Sequence, residues 1–264
     1  MPGAFNGLCA RAVARAGFPA CYVSGAATSA GAGVPDIGVL TLEHFARVVR
    51  EVCEAARRDD GTRLPVLADA DTGFGEAEMV RRTVIEYERA GAAGLHIEDQ
   101  VFPKRCGHLD GKELIPADAA CDKVRWAAKA SRDVSGGRFI VCARTDARGV
   151  EGLDAAVARA RAYVAAGAEM IFPEGLASEE EFARFAAAMG GGGGTPFLLA
   201  NMTEFGKTPM IPLRRFEAMG YSCVIYPVTL LRVAMGAVTR ALERLHAEGS
   251  AAGLLGSMQT REAL

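Results

Sequence analysis

The chain reads as an α/β protein, a single (β/α)8 barrel over residues 1–264, on three observations. Its 264 residues, half of them hydrophobic, suit one large core better than two small ones. Short β-rich apolar runs alternate with longer amphipathic runs, the βα repetition of a parallel sheet. Polar residues recur where the apolar runs end, and a closed barrel gathers such ends at one mouth.

In chain order the strand runs are GAFNG, CYVSG, LPVLADA, GLHIED, FIVCART, EMIFPE, PFLLAN and CVIYP, about the eight strands that close a parallel barrel. Helices are expected over Leu42–Arg57, Glu76–Ala90, Leu153–Ala166 and Leu230–Ala247, where apolar residues stand three and four apart. A doubly wound open sheet is the alternative, but no dinucleotide-binding or Walker-type glycine motif accompanies it. The run Gly190–Gly194 is not followed by Lys-Ser/Thr and reads as a surface loop between a helix and the next strand.

Thirty basic and 32 acidic residues are interspersed, giving a net charge of −2 with no basic stripe or acidic tail. Nucleic acid and membrane surfaces are therefore not expected partners. No apolar run approaches a membrane span, and the first residues carry no basic segment followed by an apolar one. Seven scattered cysteines (Cys9, Cys21, Cys53, Cys106, Cys121, Cys142, Cys223) with no CxxC pair argue against a disulfide framework or a structural zinc. A soluble protein in a reducing compartment is expected: the cytoplasm, or the mitochondrial matrix in a eukaryote.

The chemistry gathers at strand ends. Asp69 and Asp71 in LADADTGFG stand two apart, so both point to one face, and hard carboxylates used sparingly suit magnesium, with manganese as the alternative ion. Capping of the next helix is the plainer reading of such a pair. His96 and Glu98 repeat the spacing on the following strand. Glu98 would hold metal-bound water or move a proton; His96 is equally a satisfied core histidine. KRCGH, Lys104 to His108, falls in a Gly- and charge-rich stretch that reads as a mobile loop, about 99–113, over the mouth. Positive neighbours favour the Cys106 thiolate and make it a competent proton donor. Arg144, Arg232 and Arg261 are guanidinium forks for a polycarboxylate. Ser24 with Gly25, and Asn201 with Thr203, offer neutral donors.

At these residues the sequence resembles the isocitrate lyase / phosphoenolpyruvate mutase superfamily, most closely its methylisocitrate-cleaving branch. YVSGA, VPDIG, LADADTGFG, LHIEDQ, KRCGHLDGKEL, ARTDA, EGLDAA, AEMIFPE, LLANMTEFGKTP, VIYPVTLLR and MQTR carry the resemblance over essentially the whole chain. It implies a (β/α)8 barrel, magnesium, a homotetramer, and cleavage of 2-methylisocitrate to pyruvate and succinate in propionate breakdown. Carried over by position, substrate contacts fall on Ser24, Gly25, Ala26, Cys106, Gly107, Arg144, Glu174, Asn201, Met202, Thr203, Arg232 and Arg261, with Asp69 and Asp71 at the metal. Cys106, Glu98, Arg144 and His108 are the expected catalytic residues. The loop cysteine favours C–C cleavage over phosphoryl rearrangement. Relatives often have Gly where Ala26 stands, and usually continue past MQTREAL with a helical tail that packs on a neighbouring subunit.

The implied mechanism has magnesium lowering the pKa of the substrate hydroxyl, arginines and Asn201 stabilising the departing carbanion, and Cys106 protonating it. Related lyases acting on isocitrate, a dimethylmalate-type diacid or oxaloacetate are the rival readings, because one methyl in a pocket is worth only about 1–3 kcal/mol. A non-catalytic binding barrel is the rival from another class.

Overall fold

The computed structural model describes residues 1–105, 107, 111–190 and 195–263. Seven parallel strands follow one another in chain order: β1 (Cys21–Val23), β2 (Val66–Asp69), β3 (Gly94–Glu98), β4 (Ile140–Thr145), β5 (Met170–Pro173), β6 (Phe197–Asn201) and β7 (Cys223–Ile225). The N-terminal residues close the ring. Pro2 bridges Tyr226 beyond β7 and Gly3 bridges Tyr22 in β1, with Gly3 N donating to Tyr226 O at 2.9 Å and Ala4 N to Tyr22 O at 2.8 Å. This segment stands in for the eighth strand, and an added side-chain carbon at Gly3 would collide with the Pro227 backbone. Sequential order with closure excludes the open sheet, whose strand order reverses partway.

Nine helices are described: α1 (Gly7–Arg15), α2 (Gly25–Gly31), α3 (Leu42–Ala55), α4 (Ala77–Arg89), α5 (Ala117–Ser135), α6 (Leu153–Ala166), α7 (Glu179–Met189), α8 (Leu213–Ala218) and α9 (Thr229–Glu248). The four helices expected from periodicity are α3, α4, α6 and α9, displaced by no more than two residues at any end. Side chains close several starts: Asn6, Ser24, Thr41 and Ser178 accept backbone N–H groups at α1, α2, α3 and α7. Gly136 and Gly167 end α5 and α6 in the left-handed region.

The strands are buried along almost their whole length, as expected where helices cover the outside and side chains fill the inside. Phe182, Phe216 and Tyr221 pack edge to face, ring centroids 5.0–5.5 Å apart, and pin α7 and α8 against the barrel. Two elements stand apart. Helix α9 has no buried residue. The polar glycine run expected as a loop lies, beyond Gly190, outside the described residues; Gly190 itself caps α7.

Candidate active site

Register does much of the positioning. Asp69 on β2 lies opposite His96 on β3, Glu98 on β3 opposite Arg144 on β4, and Arg144 opposite Phe172 on β5. Asp69, Glu98 and Asn201 are the last residues of their strands, and Ser24 and Glu174 follow β1 and β5 directly. All are buried, Glu98 and Glu174 to 2% exposure. The expected gathering of polar strand ends at one mouth is therefore what the barrel produces.

Asp69 is fixed by backbone: Gly25 N donates to Oδ2 at 2.9 Å and Asp71 N to Oδ1 at 3.0 Å. Asp71 has φ 44°, a conformation non-glycine residues rarely adopt, and this turn brings the second carboxylate beside the first. An added carbon at Gly25 would lie 2.6 Å from Asp69 Oδ2 and 3.1 Å from Asp71 Oδ1, so the two oxygens converge where only glycine fits. Helix capping is excluded for both, since Glu76 occupies the N-cap of α4 and makes no side-chain cap bond.

Burial opposes ionisation of Asp69, but His96, Lys104 and Arg144 outweigh it and hold its carboxyl below the usual range. Burial, reinforced by Asp69, pushes Asp71 up to about 6 against the pull of Lys104. Burial also pushes Glu98 well above the carboxylate range despite Arg144 and Lys104. Carboxyls thus crowd a desolvated space in excess of the cations facing them, a situation proteins meet by protonation or by a bound metal. Asp69 and Asp71 suit magnesium, which takes one or two carboxylates and completes its octahedron with other oxygens. Among the described residues no three His, Cys, Asp or Glu side chains converge as a full protein ligand set.

Arg144 is the hub of the opposite wall. Its Nε and Nη2 make a fork on Asp146, 3.0 Å to Oδ2 and 3.1 Å to Oδ1; Nη1 reaches Glu98 Oε2 at 3.1 Å and Nη2 stands 3.6 Å from Glu174 Oε2. Its guanidinium also lies 5.2 Å from the Phe172 ring centre. Asn201 Nδ2 donates to Glu174 Oε2 at 3.1 Å. Gly107 sits over this pair so closely that a side-chain carbon there would meet Arg144 and Glu174. His96 is fully buried: its Nε2 pairs with Tyr22 OH at 2.7 Å, its Nδ1 has no hydrogen-bond partner among the described residues, and burial lowers its pKa against the pull of Asp69.

Other expected positions need placing. Ser24 is buried and its hydroxyl oxygen caps α2 at Ala27 N, 3.3 Å, while Ala26 is half-buried on that helix. Met202 belongs to the hydrophobic core, its sulfur accepting from Ile211 N at 3.3 Å, and Thr203 is buried beside it. Arg232 lies on the exposed base of α9, 3.6 Å from Glu204 and over the Phe205 ring. Arg261 is exposed in the C-terminal turn, without an ion pair among the described residues. Among the described residues neither of these two contacts Arg144 or Asp69 directly. Cys106 and His108 lie outside the described residues.

Sequence reasoning missed four buried charges. Lys104, read only as a neighbour of Cys106, pairs with Asp36 and reaches Asp71 Oδ1 at 2.8 Å. Asp146 anchors Arg144, and Lys112 reaches Asp146 at 2.8 Å. Asp99 accepts from Thr145, Asp146 N and Tyr163 at 2.7–2.9 Å, fastening β3 to β4. The spacing of Arg144 and Asp146 in ARTDA was a usable signal; that of Asp36, in a loop far along the chain, was not.

Residues 1–246 match the family model described as phosphoenolpyruvate phosphomutase. A protein of Corynebacterium glutamicum named "Probable 2-methylisocitrate lyase 2" is 51% identical over 264 residues, covering 100% of this chain and 81% of that one. The 2-methylisocitrate lyase of Bacillus subtilis is 45% identical, covering 100% and 82%. A crystal structure of 2,3-dimethylmalate lyase superposes with a TM-score of 0.90 at 37% identity, over 99% of this chain and 83% of that one. With the barrel, the strand-end residues and these matches agreeing, the chain belongs to the phosphoenolpyruvate mutase / isocitrate lyase superfamily.

Proposed function

We propose that this protein is a carbon–carbon lyase that cleaves 2-methylisocitrate to pyruvate and succinate, using Mg²⁺ held by Asp69 and Asp71. The observation that carries the reading is one mouth holding two converged carboxylates opposite a buried, preorganised guanidinium. The relatives' names supply the substrate. When bound, the metal supplies electrophilic stabilisation of negative charge developing on the substrate's oxygens. Arg144, held by Asp146, Glu98 and Glu174, orients a substrate carboxylate without reorganising during the reaction. Asn201, oriented by Glu174, adds a neutral donor. Glu98, whose pKa burial raises against the pull of Arg144 and Lys104, is placed to move a proton. Cys106 is the acid for the departing carbanion, delivered by the loop 99–113 as it closes and excludes water. Ser24, Gly25, Ala26, Gly107, Met202 and Thr203 line the substrate's remaining surface.

Arg232 and Arg261 complete the site when copies of the chain associate, through the uncovered face of α9, as a homotetramer. A cytoplasmic location accords with the six described cysteines being free thiols. No described helix is long and apolar enough to cross a membrane.

The test is a coupled assay for pyruvate and glyoxylate, offering 2-methylisocitrate, isocitrate or 2,3-dimethylmalate with Mg²⁺ or EDTA, on wild type and Cys106→Ser. Pyruvate release that needs both metal and Cys106 is expected. Preferred glyoxylate release moves the assignment to isocitrate, and turnover of dimethylmalate alone moves it to the activity named for the superposed structure.

A further inference from the structure

Lys112 has no part in the chemistry above, yet its side chain is only 5% exposed. Residues 99–115 are pinned at their base, Val101 N donating to Glu113 O at 2.8 Å and Ile115 N to Asp99 O at 3.0 Å, so Lys112 leaves the returning limb of the loop. Among the described residues its ammonium has two partners. One is Asp146 Oδ1, at 2.8 Å, the oxygen that also receives Arg144 Nη2; the other is the carbonyl of Gly107. Asp146 is fully buried and its own N–H is held by Asp99 at 2.9 Å, so it cannot shift to accommodate a change in its partners. Gly107 in turn packs on Arg144 and Glu174. A single buried cation therefore joins the loop backbone next to position 106 to the carboxylate that orients the central arginine.

We propose that Lys112 is a positioning residue that clasps the loop to the Arg144–Asp146 fork, so that the seating of the loop and the aim of Arg144 are set together. The proposal rests on the reading of Arg144 as a substrate ligand. Lysine suits the task because three donors on one ammonium serve a carbonyl and a carboxylate at once. Without it, Asp146 keeps Arg144 but loses a neutralising charge, and the Gly107 carbonyl loses its donor. Groups that orient a contacting residue typically account for about 10–100-fold in activity, and a displacement of 1 Å can cost about 100-fold.

The experiment compares wild type, Lys112→Met and Lys112→Arg by amide hydrogen exchange without ligand, and by kcat and KM on 2-methylisocitrate with Mg²⁺. In Lys112→Met, exchange is expected to quicken about tenfold in peptides covering 100–115 and nowhere else, with kcat falling about 10–100-fold while KM moves less than about threefold. Lys112→Arg should restore most of both. Unchanged exchange, quickened exchange with wild-type kcat, or loosening throughout the barrel that Arg does not repair would overturn the proposal. If the wild type cleaves no 2-hydroxy acid, the functional reading fails and exchange alone decides. Loosening confined to 100–115 then retains the clasp; its absence removes it.

Discussion

Glu98 and Arg144 are register partners on β3 and β4, and Arg144 Nη1 lies 3.1 Å from Glu98 Oε2. Glu98 Oε1 accepts no hydrogen bond among the described residues, and burial pushes its carboxyl well above the usual range. A pair made only for stability would leave no buried oxygen bare, because an unmade bond there costs about 1–3 kcal/mol. Glu98→Gln keeps shape and removes the proposed proton carrier. Its melting temperature is expected to stay within a few degrees of wild type, while kcat falls by about 100-fold or more. Calorimetry and steady-state assays check both; equal activity would assign Glu98 to architecture.

Arg144→Lys tests the guanidinium itself. Lysine keeps the charge but cannot hold the Asp146 fork while reaching Glu98 and Glu174. Loss of one preorganised, buried donor set corresponds to about 3 kcal/mol of transition-state stabilisation, near 100-fold in kcat/KM. The ratio of kcat/KM values for wild type and variant measures it, and a change below threefold would remove Arg144 from the reaction.

Gly25→Ala addresses the metal. The new methyl would fall 2.6 Å from Asp69 Oδ2, an oxygen already fixed by the Gly25 and Asp71 backbones, so the carboxylate has to turn away. Magnesium tolerates little departure from its octahedron. Titration calorimetry with Mg²⁺ is expected to show affinity at least about tenfold weaker, at the scale of other disturbed metal-site supports. Thermal stabilisation by Mg²⁺ should shrink in step, because a ligand stabilises only as far as it binds.

What was legible in the sequence was whatever repeats locally. Seven of the eight apolar runs are the seven strands, while GAFNG supplies only an isolated bridge at Gly3 and then the start of α1; α3, α4, α6 and α9 follow their 3.6-residue pattern. Helix α2 was not legible: GAATSAG is short, small and without an apolar stripe, and it forms because Ser24 caps it above the mouth. The i, i+2 spacing exposed Asp69, Asp71 and Glu98 because alternation puts such residues on one face. In the sequence Lys104 reads only as a positive neighbour of Cys106 and Lys112 is not singled out, since only the folded barrel reveals which carboxylates they meet. Arg232 and Arg261 read as guanidinium forks for a carboxylate, and again through the resemblance, but nothing local distinguishes them from surface arginines.

Arg148 and Glu181 give a pH-dependent prediction away from the chemistry. Arg148 forks onto both Glu181 oxygens at 2.8 Å, tying the segment after β4 to the start of α7. Chiefly through that bond, Glu181 ionises below its ordinary range. A depressed carboxyl contributes stability that is present above its unfolded value of about 4.5 and is lost as pH falls through the folded one. Arg148→Met should therefore cost about 1 kcal/mol at pH 7, the upper end for a partly exposed pair. The difference from wild type should shrink below about pH 4.5. Urea unfolding at pH 7 and at pH 4 separates this from a loss of packing, which pH would not alter.

Helix α9 carries the last prediction. Met235, Val238, Leu242 and Leu245 are 51%, 43%, 60% and 44% exposed, and their spacing of three, four and three residues sets them in one stripe along a 20-residue helix. A stripe of this period is the seam along which helices pair. A lone chain would leave about 30 Å of helix with its apolar side in water, and the helix has no buried residue to hold it in place. Association of copies through this stripe, as in the proposed tetramer, would cover it. If copies pair along this stripe in the proposed tetramer, Val238→Glu with Leu242→Glu puts two charges in the seam and is expected to reduce the sedimenting mass relative to wild type. Barrel circular dichroism should be retained, because neither residue touches the core. If the mass is unchanged, α9 is not the contact.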